Sequence, residues 1–451
     1  MLYELPYPDS EPIEIPDRNL LGIYQAPRIE PGGSQEEIVA HGIANPIGAA
    51  RLCDAARGRR RVLVLCDDNT RETPARLIVP FILAELRAAG VSDDAISFLI
   101  ALGTHRPMTP QELEAKLGRS VVERYPVANH RWHDAETLAH VGCTPAGLPI
   151  QVNRQVAAAD FVIGLGSIFP HAVAGFSGGG KIVVPGVCGE ATSGDMHWMM
   201  YGIPPAELYG HADNPVRQLI DQVALQAGLS YVVDSVLDVE HRIVGLVAGH
   251  PVQAHRVGCQ ISRRVHSVTV PRQAEIVLFD SYRTDLDYWQ AIKGITPAGL
   301  VMRDGGIVIQ VAACREGVSP SHPEVLEYGY RPLAVVNELL QCGAFDKSVA
   351  AHMIQAAEVI VERGRGFLVS PHIPRQHVAR LGFLYASSPQ EALATALTMM
   401  GSDASIAVLR QAGELLPLVA ERHYTPRGVG TPWTSACRPP SASTAPTPRA
   451  S

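Results

Sequence analysis

RVLVLCDDNTRETPARLIVPFILAELRAAG, residues 61–90, decides the fold. Residues 61–66 form an apolar run of strand length rich in β-branched side chains. The polar loop DDNTRETP follows, and then ARLIVPFILAELRAAG, whose apolar periodicity is that of a helix closed by Gly90. Strand, polar loop and helix together make one α/β unit. The unit recurs downstream. AISFLIAL (95–102) reads as a strand that ends in GTHRPMT, with Thr109 placed as N-cap and Pro110 as the first residue of the next helix. DFVIGLG (160–166) is a third strand. Ligands of open parallel sheets collect at the carboxyl ends of the strands, and each of these three ends delivers a polar cluster: Asp67 to Arg71, Thr104 to Arg106, and Ser167 to Lys181.

Further out, YVVDSVLDVEHRIVGLVAGH (231–250) reads as a two-strand hairpin around Glu240-His241, and the rhythm changes near Pro271-Arg272-Gln273. A second α/β series starts at AEIVLFD (274–280) and runs through GGIVIQVAAC, GFLVSP, LGFLYASS and SIAVLRQAGELLPLV. The expected architecture is two α/β domains with the active site in the cleft between them: residues 1–270, and 274–423 closing the cleft. The tail 424–451 is rich in Pro, Ser, Thr and Ala, lacks periodic apolar positions, and is expected to be disordered. A chain of 451 residues is too long for one ordinary core.

The composition is 46% apolar and 18% charged with a net charge of −7, which fits a soluble globular protein and argues against a nucleic-acid surface. Eight cysteines without a CxxC pair signal neither a disulfide framework nor a zinc site, so a reducing cytoplasm is expected. No apolar run reaches the length needed to span a bilayer, and the first residues lack a signal-peptide pattern.

The chemistry concentrates in GLGSIFPHAVAGFSGGGKIVVPGVCGEATSGDMH, residues 164–197. Ser177-Gly178-Gly179-Gly180 allows close approach of a ligand to backbone N–H groups. Lys181 follows, suited either to hold a phosphate or, if desolvated, to act as a nucleophile. Gly175 to Lys181 fits the phosphate-loop pattern GxxxxGK[ST] except at its end, where Ile182 replaces the magnesium-binding hydroxyl, and the preceding strand ends about ten residues too early. Binding of a phosphorylated group is retained and a nucleotide triphosphatase is not. Arg71 is either a fork for a substrate carboxylate or a partner of Asp67 or Asp68. His105 is a general base or a hydrogen-bonding loop residue. His171 and His197 can ligate metal or move protons. His130, His133 and Asp134 look metal-like, but their spacing favours a supporting or surface role. On a helix, Trp289, Gln290 and Lys293 share one face, which either closes over a ligand or is an exposed amphipathic turn.

DDNTRETP, GTHRPMT, NHRWHD, HAVAGFSGGGKIVVPGVCGEATSGDMH and WQAIKG, in this order, resemble the lactate racemase family of nickel-pincer-nucleotide enzymes. The resemblance implies a racemase or epimerase of a 2-hydroxy acid, lactate or a related one, with a pyridinium-derived mononucleotide that carries sulfur and nickel and is joined to Lys181. It places the nickel-ligating histidine on His197, the two proton-transferring histidines on His105 and His171, and the carboxylate-binding arginine on Arg71. Gln290 and Lys293 are implied on the substrate side, and Asp68 with Ser177, Gly178, Gly179, Gly180 and Lys181 on the cofactor side. Cofactor-synthesis proteins are the implied partners, with neither nucleic acid nor membrane. A cofactor-binding paralogue without racemase activity and a noncovalent phosphate- or nucleotide-binding enzyme are the alternatives.

Overall fold

The computed structural model describes residues 1–421 apart from Asp9 and Pro145, so the expectation for the tail lies outside the described residues. Two six-stranded sheets organise the chain. Their strands in chain order are β1 (Leu20–Tyr24), β2 (Val62–Asp67), β3 (Ile96–Ala101), β4 (Val127–Asn129), β5 (Phe161–Ser167), β6 (Leu229–Leu237), β7 (Ile243–Gly249), β8 (Ala274–Asp280), β9 (Met302–Val311), β10 (Arg365–Val369), β11 (Leu384–Tyr385) and β12 (Ile406–Leu409). The first sheet has the order β7-β6-β5-β2-β3-β4, parallel except for the β6–β7 hairpin. The second, β11-β10-β9-β8-β12-β1, is parallel throughout.

Strand β2 shows why the chain folds this way. Every one of its residues is buried. Val62, Val64 and Cys66 pack with Ile78, Val79, Ile82 and Leu86 of helix α1 (Ala75–Ala88), while Leu63 and Leu65 join the core on the opposite side of the sheet. Successive strand residues point to opposite faces, so a strand covered on both sides must be apolar throughout. Polar residues are therefore driven to the strand ends. Helix α2 (Pro110–Leu117) starts with Thr109 in a capping box with Glu112 and with Pro110 in the first turn, as its sequence requires.

One element departs from the sequence reading. Residues 20–24, grouped there with the first unit, add β1 to the edge of the second sheet by pairing with β12. Tyr3, Leu5, Ile13 and Ile15 pack on the same sheet against Ile276, Leu278 and Ile307. A short strand at the chain's start carries no local signal of its partner, because the partner is nearly four hundred residues away and is chosen by an open edge. Among the described residues, no helix is long and apolar enough to cross a membrane.

Candidate active site

The carboxyl ends of β2, β3 and β5 open into one cleft, whose other wall comes from the second half of the chain. The cleft opens to solvent. Asp68, Arg71, His105, His171, Ser177, Gly178, Lys181, His197, Gln290 and Lys293 all line it. Gly179 and Gly180 do not. They are buried, and a Cβ on Gly179 would lie 2.7 Å from the His255 ring, while one on Gly180 would lie 3.0 Å from Ala224. These two glycines let helices pack under the loop instead of opening it to a ligand, and the Gly179 N–H is already spent on Asp234 Oδ2 at 2.8 Å.

That loop is fastened from below. Helix α3 (Glu190–Trp198) is followed by α4 (Pro215–Gln226), in which the fully buried Arg217 donates to the carbonyls of Ala174 and Gly178 at 3.3 Å each and to that of Phe176. His255 of α5 (Pro251–His266) meets the Ser177 carbonyl at 2.8 Å. Lys116, at the end of α2, does the same for the β2 loop: its ammonium pairs with Asp67 at 2.8 Å and donates to the carbonyls of Asp68 and Arg71.

Hydrogen bonding fixes the state of both proposed base histidines. Asp68 Oδ2 lies 2.7 Å from His105 Nδ1, and the Thr70 hydroxyl and N–H also point at Asp68. Burial alone would raise the Asp68 carboxyl, but His105, Arg71 and Thr70 hold it well below the usual range, so it is a carboxylate and Nδ1 donates to it. Arg71 Nη1 donates to Gln290 Oε1 at 3.4 Å, which turns the Gln290 amide N–H to His105 Nε2 at 2.9 Å. His105 thus presents a lone pair on Nε2, the form a general base needs. Arg71 makes its other bonds to Thr70 and has no carboxylate partner among the described residues; its guanidinium lies over Phe169, 5.6 Å from the ring centre.

His171 is arranged the other way round. The backbone N–H groups of Val173 and Ala174 point at its Nδ1, at 3.1 and 3.4 Å, so its hydrogen sits on Nε2. That nitrogen lies 2.8 Å from Lys181 Nζ, which must then accept as a free amine. Burial, with Arg71, Arg217 and Lys293 nearby, pushes the Lys181 ammonium well below its ordinary value, in agreement with the geometry. Burial and Lys181 likewise lower His171. His197 is pushed down to about 3, by burial first and Lys181 second, and its Nδ1 faces Ser193 Oγ at 3.4 Å. A neutral imidazole with Nε2 left over can ligate a metal. Among the described residues, however, no three His, Cys, Asp or Glu side chains converge.

Two segments of the chain match known domains. Residues 8–208 match the lactate racemase N-terminal domain, and residues 270–413 match the lactate racemase C-terminal domain. The chain belongs to the lactate racemase family. It is 29% identical over 413 residues to a lactate racemase of Thermoanaerobacterium thermosaccharolyticum, covering 90% of this chain and 96% of that one. It is 33% identical over 320 residues to a lactate racemase of Lactiplantibacillus plantarum, covering 70% and 75%. The lactate racemase apoprotein structure from T. thermosaccharolyticum superposes with a TM-score of 0.83 at 28% identity, over 93% of this chain and 100% of that one.

Sequence reasoning missed several parts of this lactate racemase-type cleft. Asp234, Ser348, His352 and Gln355 line it without belonging to any motif, and Arg217, Lys116 and His255 support it from outside. In the metal-like NHRWHD segment, His130 and Asp134 are engaged by other protein groups. His130 is buried between Cys188 O at 2.8 Å and the Asn153 amide at 3.1 Å and is lowered to about 4 by burial, and Asp134 pairs with Arg131 at 3.1 Å.

Proposed function

We propose that the chain racemises or epimerises a 2-hydroxy acid, lactate or a related one, using a nickel-pincer nucleotide joined to Lys181. The observation that carries this reading is the Lys181 amine. It lies in the cleft, uncharged and nucleophilic, with an imidazole and no carboxylate as its neighbour. His197 is the residue that would hold the metal, and Ser177 and Gly178 would border the nucleotide. When bound, that group supplies a place for hydride to leave C2 and return from either face, which bypasses deprotonation of a weakly acidic C–H bond.

The chain's own residues do the rest. Arg71 offers a planar fork to the substrate carboxylate, and the buried, unpartnered Lys293 Nζ adds a second donor. His105 Nε2 takes the hydroxyl proton as hydride departs, its Nδ1–H held by Asp68. The ketone so formed turns its other face toward the opposite imidazole, His171, whose Nε2 returns a proton to oxygen once that ring has taken up a second proton from solvent. A bond from Lys181 nitrogen to the cofactor removes the amine lone pair and frees His171 Nε2 for this task. The two halves of the chain meet where the Gln290 amide reaches His105.

The test is intact and peptide mass spectrometry of the chain co-produced with lactate-racemase cofactor-synthesis proteins. A mononucleotide-sized adduct with nickel and sulfur on the Lys181 peptide is expected, and Lys181→Ala should carry none. An unmodified Lys181 under conditions that load a family relative would overturn the reading.

A further inference from the structure

The second half's share of the cleft is a poor match for an aliphatic substituent. Every aliphatic side chain lining the cleft comes from the first half; from residue 289 onward all lining residues are polar or aromatic. With α6 taken as Tyr288–Ala291, helix α7 (Lys347–Ala357) contributes Ser348, His352 and Gln355. Positions i, i+4 and i+7 make one face.

The groups on that face are not satisfied from within. Ser348 Oγ is buried with no hydrogen-bond partner, a state that favours a ligand able to supply the bond. Gln355 spends one amide N–H on its own helix, at Ala351 O 3.3 Å away, and keeps the oxygen. His352 gives Nε2 to the Tyr330 hydroxyl at 3.0 Å, which leaves Nδ1. Its ring lies flat on Trp289, 4.1 Å between centres and 4° between planes, while His322 covers the other indole face at 4.0 Å. With both faces covered, Trp289 meets the cleft with its rim, the electropositive part of an aromatic ring. The helix brings no free charge either, because its one cation, Lys347, is held by Asp195 at 2.5 Å. Neutral dipoles and an electropositive rim suit hydroxyl oxygens better than a methyl group or a second carboxylate.

We propose that the substrate is a 2-hydroxy acid whose C2 substituent itself carries hydroxyl, bound through Ser348, His352 and Gln355. This rests on the racemase reading and narrows it. With the full chain loaded and its adduct verified by mass spectrometry, kcat/KM for glycerate should exceed that for lactate at least about tenfold, since a site built to bond a hydroxyl discriminates against its absence. Ser348→Ala and Gln355→Leu should each shrink that ratio severalfold. Calorimetric titration of the unloaded chain should detect glycerate more tightly than lactate, with the difference reduced in both variants. Lactate handled as well as glycerate by the wild-type chain, in turnover and in titration, would overturn the proposal and leave the racemase reading standing. A verified adduct with no turnover of any 2-hydroxy acid would sink the racemase reading itself. If Ser348→Ala does not fold, Gln355→Leu and the wild-type ratio decide the matter.

Discussion

The two walls of the cleft are built on different principles. On the first wall, Asp68, Arg71, His105, His171 and Lys181 sit on loops that leave parallel strands, and buried polar groups grip the backbone of those loops: Lys116 under Arg71, Arg217 and Asp234 under the glycine run. On the second wall, Trp289 and Gln290 ride on a single turn of helix and are held by side chains, through the His322–Trp289–His352 stack and the bridge from Gln290 to His105. The first wall is therefore fixed by hydrogen bonds to main chain, which a ligand cannot easily displace. The second is fixed by stacking and by bonds that a substrate must replace. Chemistry that needs fixed proton positions belongs on the first, and selection of the substrate on the second.

If that division is right, the largest losses come from the first wall's hydrogen bonds. Asp68→Asn leaves the shape but offers an amide to His105 Nδ1, favouring the tautomer with hydrogen on Nε2. We expect kcat to fall about 10²- to 10⁴-fold with little change in KM. A loss confined to KM would mean that Asp68 serves binding and not the base. Next in size, Arg71→Lys replaces a fork with a point charge and should lower kcat/KM about 10- to 100-fold, chiefly through KM. Unchanged kinetics would remove Arg71 from the carboxylate site.

The support beneath the glycine loop can be examined through pH. Burial raises the Asp234 carboxyl from 3.8 to about 7, against the opposing bond from Gly179 N–H. A carboxyl with a raised folded pKa helps the folded state below the unfolded value, near 4, and that help is lost as pH rises through about 7. Asp234→Asn keeps an oxygen for Gly179 without the buried charge. It should be more stable than the parent at pH 8, by on the order of 1–3 kcal/mol, with the gap closing toward pH 5 in denaturant titrations. A pH-independent difference would show that Asp234 binds its proton equally in the folded and unfolded chain, so that burial does not raise it.

The same contrast explains what could be read in the sequence. Strands at 61–66, 95–102 and 160–166 were legible because burial on both faces forces continuous apolar runs, and strand ends then expose the polar clusters that lie within residues of them. The α2 start was legible from Thr109 and Pro110, whose roles are local. Lys116, Arg217, Asp234 and His352 were not, because each acts on a loop or ring from a distant element and sits in an ordinary helix or strand pattern. The glycine run was legible as a special backbone but not as packing space for His255 and Ala224, which depends on helices more than forty residues on. The partner of β1 was hidden for the same reason.

The smallest effect we expect comes from the second wall, and it separates stacking from hydrogen bonding. His322 does two things: it covers Trp289 at 4.0 Å, and its Nε2 meets Thr104 O and Oγ1 at 3.1 and 3.0 Å, next to His105. Burial lowers it to about 4, so at neutral pH it is an uncharged ring with Nε2–H to donate. His322→Ala removes both contacts, whereas His322→Phe restores a ring against the indole without the bond. A stacked pair is worth about 0.5–1.5 kcal/mol, so His322→Ala should lower kcat/KM severalfold and His322→Phe should recover part of it. Full recovery by Phe would assign the residue's role to Trp289 alone. Equal losses in the two variants would assign it to the tie at Thr104, and the second wall would then be fixed across the cleft by the same kind of bond that fixes the first.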